Sequence, residues 1–150
     1  MRTTTVLATA ASLFCAVDAR ISGFAVPSIV KPGDTQVEIV ITTEGYIQSV
    51  EDVAIAFGIS PANASSPGTL GPDLLTSKFL GPSLSNTNEN ITHYVSIPTD
   101  IAEGPAVLQA ALFSLYGVSL GPTISSYTAN VTVGDATSTD YVASTSVTQQ

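Results

Sequence analysis

Tryptophan is missing from this chain of 150 residues, and cysteine and histidine occur once each. Each scarcity removes a class of chemistry. A Ser-His-Asp or Cys-His arrangement would have to run through the single imidazole, His93. Zinc and copper centres draw on several His or Cys ligands, and one histidine does not supply them. Without Trp, the chain lacks a common stacking platform for sugars. Positive charge is scarce as well, with 4 Lys and Arg against 12 Asp and Glu and a net charge of −8. Phosphate recognition needs clustered cations that release counterions, so nucleic acid is excluded as a partner. Anionic membrane surfaces are disfavoured on the same ground. No D-x-D-x-D calcium loop and no phosphate-cradling glycine motif occurs.

Long apolar runs are also rare, and the one at the N-terminus reads as a targeting segment. Arg2 supplies a short positive region, and Val6 to Val17 is mostly apolar or small. Val17-Asp18-Ala19 places small residues at the −3 and −1 positions, which predicts cleavage between Ala19 and Arg20. The run is too short to cross a hydrocarbon layer of about 30 Å. Residues 1–19 are therefore expected to be a signal peptide and the protein to be secreted, with no membrane insertion. Cys15 leaves with that segment, so the mature chain has no thiol and no disulfide. The net charge is unchanged, because Arg2 and Asp18 leave together. Nothing apolar resembling a glycolipid-anchor signal follows at the C-terminal side, so no anchor is expected.

What remains reads as short strands between Pro, Gly, Asn and Asp. Arg20 to Val26 forms a first strand, ending at Pro27, and Lys31-Pro32-Gly33-Asp34 is a turn. Val37, Ile39 and Ile41 alternate with polar neighbours, and Val53, Ile55 and Phe57 share one face of a strand from Val50 to Ile59. Residues 60–90 are loop-rich, with one strand near Leu74 to Leu80. Ile91 to Ile97 alternates again. Ala106 to Tyr116 is the most apolar stretch, with Ala106, Leu108, Ala110 and Leu112 inward. A last strand runs from Tyr127 to Val133, with Ala129, Val131 and Val133 inward. About seven strands in one domain predict an all-β, immunoglobulin-like sandwich over residues 20–134. Residues 135–150 are Ser/Thr-rich and without pattern, which predicts a disordered tail.

Candidate functional residues are few. His93 shares the parity of Ile91, Val95 and Ile97, which predicts a part-buried structural imidazole. Glu51 and Asp52 are adjacent on a strand and point to opposite faces, a poor arrangement for paired-carboxylate hydrolysis. Asp100 and Glu103 sit in a corner where polar residues belong anyway. We therefore expect no enzymatic activity, no cofactor and no metal. Three N-x-[ST] sequons mark Asn63, Asn90 and Asn130 as candidate glycan acceptors in a secreted chain. Phe113 and Leu115 cannot share the face of Leu112. Either that strand is covered on both sides, or one face carries an exposed apolar patch rimmed by Tyr46, Ile47 and Tyr116. These five residues are the candidate partner-binding set.

Several blocks carry a family resemblance: Arg20-Ile21-Ser22-Gly23, Tyr46 to Val50 running into Asp52 to Gly58, and Leu80-Gly81-Pro82. Further on come Asn90-Ile91-Thr92, Leu112 to Gly117 and Val131 to Asp135. On these residues the chain resembles the fungal necrosis-inducing secreted proteins, small effectors of plant-associated fungi. The resemblance implies a virulence effector that suppresses pattern-triggered immunity and can induce host cell death. The implied partners are two plant immune kinases, the shared receptor co-receptor and a receptor-like cytoplasmic kinase, both inhibited by binding. It also implies delivery to the host cell cytoplasm. No catalytic motif comes with it. The alternative reading is an extracellular cell-wall or glycan-associated immunoglobulin-like domain. A fold without disulfides keeps its stability in oxidising and reducing compartments alike. The melting temperature of the mature chain is therefore expected to be the same with and without reductant; a clear drop in reductant would reveal a crosslink.

Overall fold

A computed structural model describes residues 18–147. Residues 1–17, which hold most of the expected signal peptide and Cys15, lie outside the described residues. The elements are β1 (Asp18–Pro27), β2 (Ile29–Val30), β3 (Val37–Tyr46), β4 (Val50–Pro61), β5 (Asp73–Phe79) and α1 (Gly81–Ser85). They continue with β6 (Ile91–Val95), β7 (Gly104–Tyr116), β8 (Gly121–Val133), β9 (Tyr141–Ala143) and β10 (Thr145–Val147). One sheet has the order β6-β3-β1-β9, the other β10-β8-β7-β4-β5, and β2 pairs with β8 in parallel. The chain is an all-β sandwich, as expected. No helix among the described residues is long and apolar enough to cross a membrane.

The alternation read from the sequence is the alternation that packs. Val37, Ile39 and Ile41 from β3 face Ile55, Phe57 and Ile59 from β4 across a core that also takes Ala106, Leu108, Ala110 and Leu112 from β7. Phe24 meets Phe57 edge-on, with ring centroids 5.5 Å apart. Successive inward residues on a strand are two apart, so each such strand contributes one apolar face.

Three expectations need correction. Val53 does not share the face of Ile55 and Phe57. The β4–β7 register shifts between Asp52 and Ala54, and the extra residue moves the inward set from Val50 and Asp52 to Ile55, Phe57 and Ile59. The last long strand starts at Gly121, well before Tyr127. Its Gly-Pro-Thr opening looks like a turn but pairs with Leu115 and Tyr116 in a long hairpin. The segment expected to be a disordered tail instead forms a strap. Tyr141–Ala143 pairs with the edge of β1 and Thr145–Val147 with the edge of β8. Between them, Ser144 accepts the Phe24 N–H at Oγ (2.8 Å) and donates its own N–H to the Phe24 carbonyl (2.7 Å). Gly23 is what lets Ser144 come so close, since a Cβ there would stand 2.6 Å from its Oγ. Val142 packs against the core. Such short edge strands carry no apolar period of their own, so composition alone suggests disorder.

The second structural device is a buried carboxylate. Asp52 is fully buried. Its Oδ2 accepts the Ile21 N–H of β1 (2.8 Å), and its Oδ1 accepts the Ser114 hydroxyl of β7 (2.6 Å). Its own N–H donates to Ser85 Oγ of α1 (2.7 Å). One side chain therefore ties the two sheets together. Asp52→Ala would strand two buried donors, and we expect it to lower the unfolding free energy by roughly 3 kcal/mol. Asp52→Asn keeps an oxygen for Ile21 and can donate to Ser114 Oγ, so its loss should be less than half as large. Urea denaturation of the two variants decides this; equal losses would show that hydrogen bonding at this site is not what matters.

Candidate functional site

The β3–β4 turn and the β7–β8 turn lie together at one end of the sandwich, where the Gly117 N–H donates to the Ser49 carbonyl (2.9 Å). Ile47, at the tip of the first, is 96% exposed; Val118 and Leu120, in the second, are 99% and 54% exposed. Leu120 adopts φ 50°, the only positive φ among the described non-glycine residues. Beside these turns lies a cavity of about 330 Å³, walled by Val50, Glu51, Pro82, Ser85, Leu115 and Leu120 among others.

Of the five candidate partner-binding residues, four come to this end and Phe113 does not. Tyr46 and Tyr116 meet edge-on with centroids 6.1 Å apart. The Arg20 guanidinium sits 4.4 Å from the centre of the Tyr46 ring and is bound to Glu44 at 2.7 Å. These residues are half-buried or exposed, and Arg20, Glu44 and Tyr116 form one wall of a polar groove of about 550 Å³ that continues to Ser125, Tyr127 and Ser146. Ile47 projects into solvent. Leu115 lines the smaller cavity. Phe113 lies half-buried on the outer face of the second sheet, in a lateral row with Phe79, Ala54 and Ile124. Phe79 and Ile124 are 72% and 58% exposed. Val118 and Leu120 escaped the sequence reading, although two large aliphatics between Gly117 and Gly121 are a visible oddity in a turn.

All three sequon asparagines are exposed. Asn63 lies in the 3-10 turn Ala62–Ala64. Asn90 accepts the Thr43 N–H at Oδ1 (3.3 Å), which leaves Nδ2, the atom a glycan would occupy, outside that bond. Asn130 stands opposite Val107, six residues from Ile124 along β8, or about 20 Å from the Phe113 row. A glycan there would sit at the far end of the face. The expected cleavage point falls inside β1: Ala19 is buried opposite Gly45, and Arg20 pairs with Glu44.

No group of three or more His, Cys, Asp or Glu able to hold a metal ion occurs among the described residues. Asp100 and Glu103 are both exposed. Burial raises the carboxyl pKa of Asp52, against the Ser114 and Ile21 hydrogen bonds that favour the charged form. His93 stacks on Phe57 with centroids 5.9 Å apart. Burial, then the Lys78 charge, lowers its pKa.

A sequence profile of the Nis1 family matches residues 17–132. The chain belongs to the Nis1 family. It is 52% identical over 144 residues to the necrosis-inducing secreted protein 1 of Colletotrichum orbiculare, covering 96% of this chain and 88% of the relative. It is 54% identical over 138 residues to the protein of the same name from Colletotrichum higginsianum, covering 92% and 94%. The family resemblance read from the sequence blocks is thereby established, and so is secretion. The matched Nis1 region runs from just before β1 to the end of β8; the 96% alignment carries the likeness past Thr132 into the strap.

The His93 and Asp52 shifts act on stability with opposite signs. The folded chain disfavours protonated His93, so its contribution is full above the ordinary imidazole value of 6.5 and is lost as pH falls through 6.5 toward the lowered folded value. Ionised Asp52 is disfavoured in the folded chain, so its contribution is present at low pH and lost as pH rises through its raised pKa. Between about pH 7.5 and about pH 5.5 we expect the urea midpoint of the wild type to fall relative to that of His93→Gln. Parallel pH profiles for the two proteins would show that His93 is not the group responsible.

Proposed function

We propose that this Nis1-family chain is a secreted effector that binds and inhibits plant immune receptor-associated kinases, suppressing pattern-triggered immunity and inducing host cell death at high levels. The supporting observation is likeness across almost the whole chain to two secreted proteins named for inducing necrosis. The partners in this reading are the shared immune co-receptor kinase and a receptor-like cytoplasmic kinase. The effector acts by binding and performs no chemistry of its own, in keeping with a sequence that offers a single imidazole and no cysteine after Cys15. Inhibition then means covering a surface the kinase needs for activation or substrate contact. A domain held by its core, by Asp52 and by a hydrogen-bonded strap can work inside a reducing host cell as well as outside.

The test uses the mature protein with the purified kinase domains. Co-precipitation and inhibition of autophosphorylation at about micromolar concentration are the expected results. Absence of binding to both domains at that concentration would sink the kinase reading. Necrosis in infiltrated leaves, scored in parallel, reports on cell death independently of either kinase.

A further inference from the structure

The loop end carries three features that folding does not explain. Ile47, Val118 and Leu120 expose large aliphatic side chains at the tips and base of two adjoining turns, which neither core packing nor solubility favours. Leu120 does so from the left-handed region, which Gly enters without a Cβ clash and Asn with the help of local hydrogen bonds, whereas Leu has neither advantage. A strained residue that also exposes apolar surface points to a role outside the fold. Next to it is the cavity of about 330 Å³, at the small end of the range for binding pockets and sized for a single bulky side chain, not for an extended polymer. Its apolar wall is Val50, Pro82, Leu115 and Leu120; its one charged lining residue is Glu51. No cation lines it.

We propose that this end is the docking surface toward the kinase, and that it captures a segment with one bulky apolar side chain beside a lysine or arginine. The cavity takes the apolar anchor, Ile47 and Val118 pack around it, and Glu51 meets the cation. Charge complementarity selects this occupant. The chain has a net charge of −8, so a second copy or an anionic lipid surface is repelled, whereas a basic segment is drawn in. The backbone bond from Gly117 to Ser49 fixes the two turns relative to each other, so little ordering is left to binding. The inference rests on the partner-binding reading above and places that binding on named residues.

The experiment measures binding of the two kinase domains to four forms of the mature protein: wild type, Val118→Asp, Glu51→Gln and Phe79→Ser. Thermal melts confirm that each is folded. Val118 is 99% exposed, and Phe79, whose ring packs over Gly81 on the second sheet's outer face, is not among the residues that wall the cavity. We expect Val118→Asp to weaken binding at least about 30-fold, as for a buried anchor contact. Glu51→Gln should weaken it about 5-fold, with a shallower salt dependence, and Phe79→Ser should bind as wild type. If the wild type binds and both loop-end variants bind equally well, the surface assignment is overturned while the kinase reading stands. Loss of binding in Phe79→Ser alone would move the docking site to the outer face of the sheet. A wild type that binds neither kinase removes the reading beneath and the inference with it. Flotation of the wild type with phosphatidylcholine vesicles, abolished by Val118→Asp, would assign the exposed aliphatics to lipid and overturn the proposal.

Discussion

A single buried carboxylate sets the geometry on which the functional end depends. Asp52 holds the Ile21 N–H from one sheet and the Ser114 hydroxyl from the other, while its own N–H holds Ser85 of α1. Ser85 in turn donates to the Val50 carbonyl (3.4 Å). The cavity wall formed by Val50 and Ser85, and the strand that ends in Tyr116, are thereby braced from one point. Burying a charged group is unfavourable unless its oxygens are occupied, and here both are. The cost is met where it has a geometric return: the β4 register shift lies directly after Asp52, so the carboxylate faces inward just before the strand hands over to Ile55, Phe57 and Ile59. Without that shift, either Asp52 or the apolar set would face solvent.

The strap supplies at the other side what a disulfide supplies in many small secreted domains. β9 closes the edge of β1 and β10 closes the edge of β8, and Ser144 between them bonds Phe24 twice, accepting at its Oγ and donating its own N–H. Two further ties anchor the approach: Thr137 Oγ1 donates to Asp34 Oδ2 (2.7 Å), and the Ser28 N–H donates to the Asp140 carbonyl (2.7 Å). The Thr137 hydroxyl and the Gln36 N–H hold the Asp34 carboxyl below its ordinary range. None of these contacts depends on redox state, so the constraint is the same under oxidising and reducing conditions. The strap strands β9 and β10 become short edges themselves, opposite the edges at β6 and β5, and β6 begins beside the Asn90 sequon.

The parts of this fold that were legible in the sequence are those whose burial is periodic. Val37, Ile39 and Ile41, and Ala106 to Leu112, announce a strand face because every second residue must enter the core. The bulge after Asp52 was hidden because Val53 continues the apolar parity of Ile55 while the backbone breaks it. A sharper sign was available: Val50 and Asp52 share one parity and Ile55 and Phe57 the other, so one frame change is required if Val50 is to be buried as well. The strap was illegible for a different reason. Its stability comes from main-chain pairing and one serine, and backbone hydrogen bonds leave no trace in composition. Of the candidate partner residues, Leu115 follows from strand parity and Tyr46, Ile47 and Tyr116 from the expected rim of that face, and all four come to the loop end. Phe113 lies on the face opposite Leu112, as strand parity predicts; what only sheet register supplies is its row with Phe79, Ala54 and Ile124.

In the core and the strap, local preference and global packing agree, while Leu74, Phe79 and Ile124 also leave large apolar side chains exposed on β5 and β8. Apolar residues alternate inward, glycine sits where Ser144 approaches closely, and the buried carboxylate is satisfied. The loop end breaks this agreement twice in three residues, with a fully exposed Val118 and a left-handed, exposed Leu120. Such departures tend to mark positions shaped by a requirement other than folding. The nearest non-functional account, a tolerated turn sequence, explains Val118 alone, since isolated exposed apolar residues are common. It does not explain why the strained position also lines a cavity with Leu115, or why a second exposed aliphatic, Ile47, stands on the turn bonded to it. Taken together, the strain, the cavity and the paired tips are what the proposed docking surface rests on, and Asp52 is the interaction that keeps its walls in place.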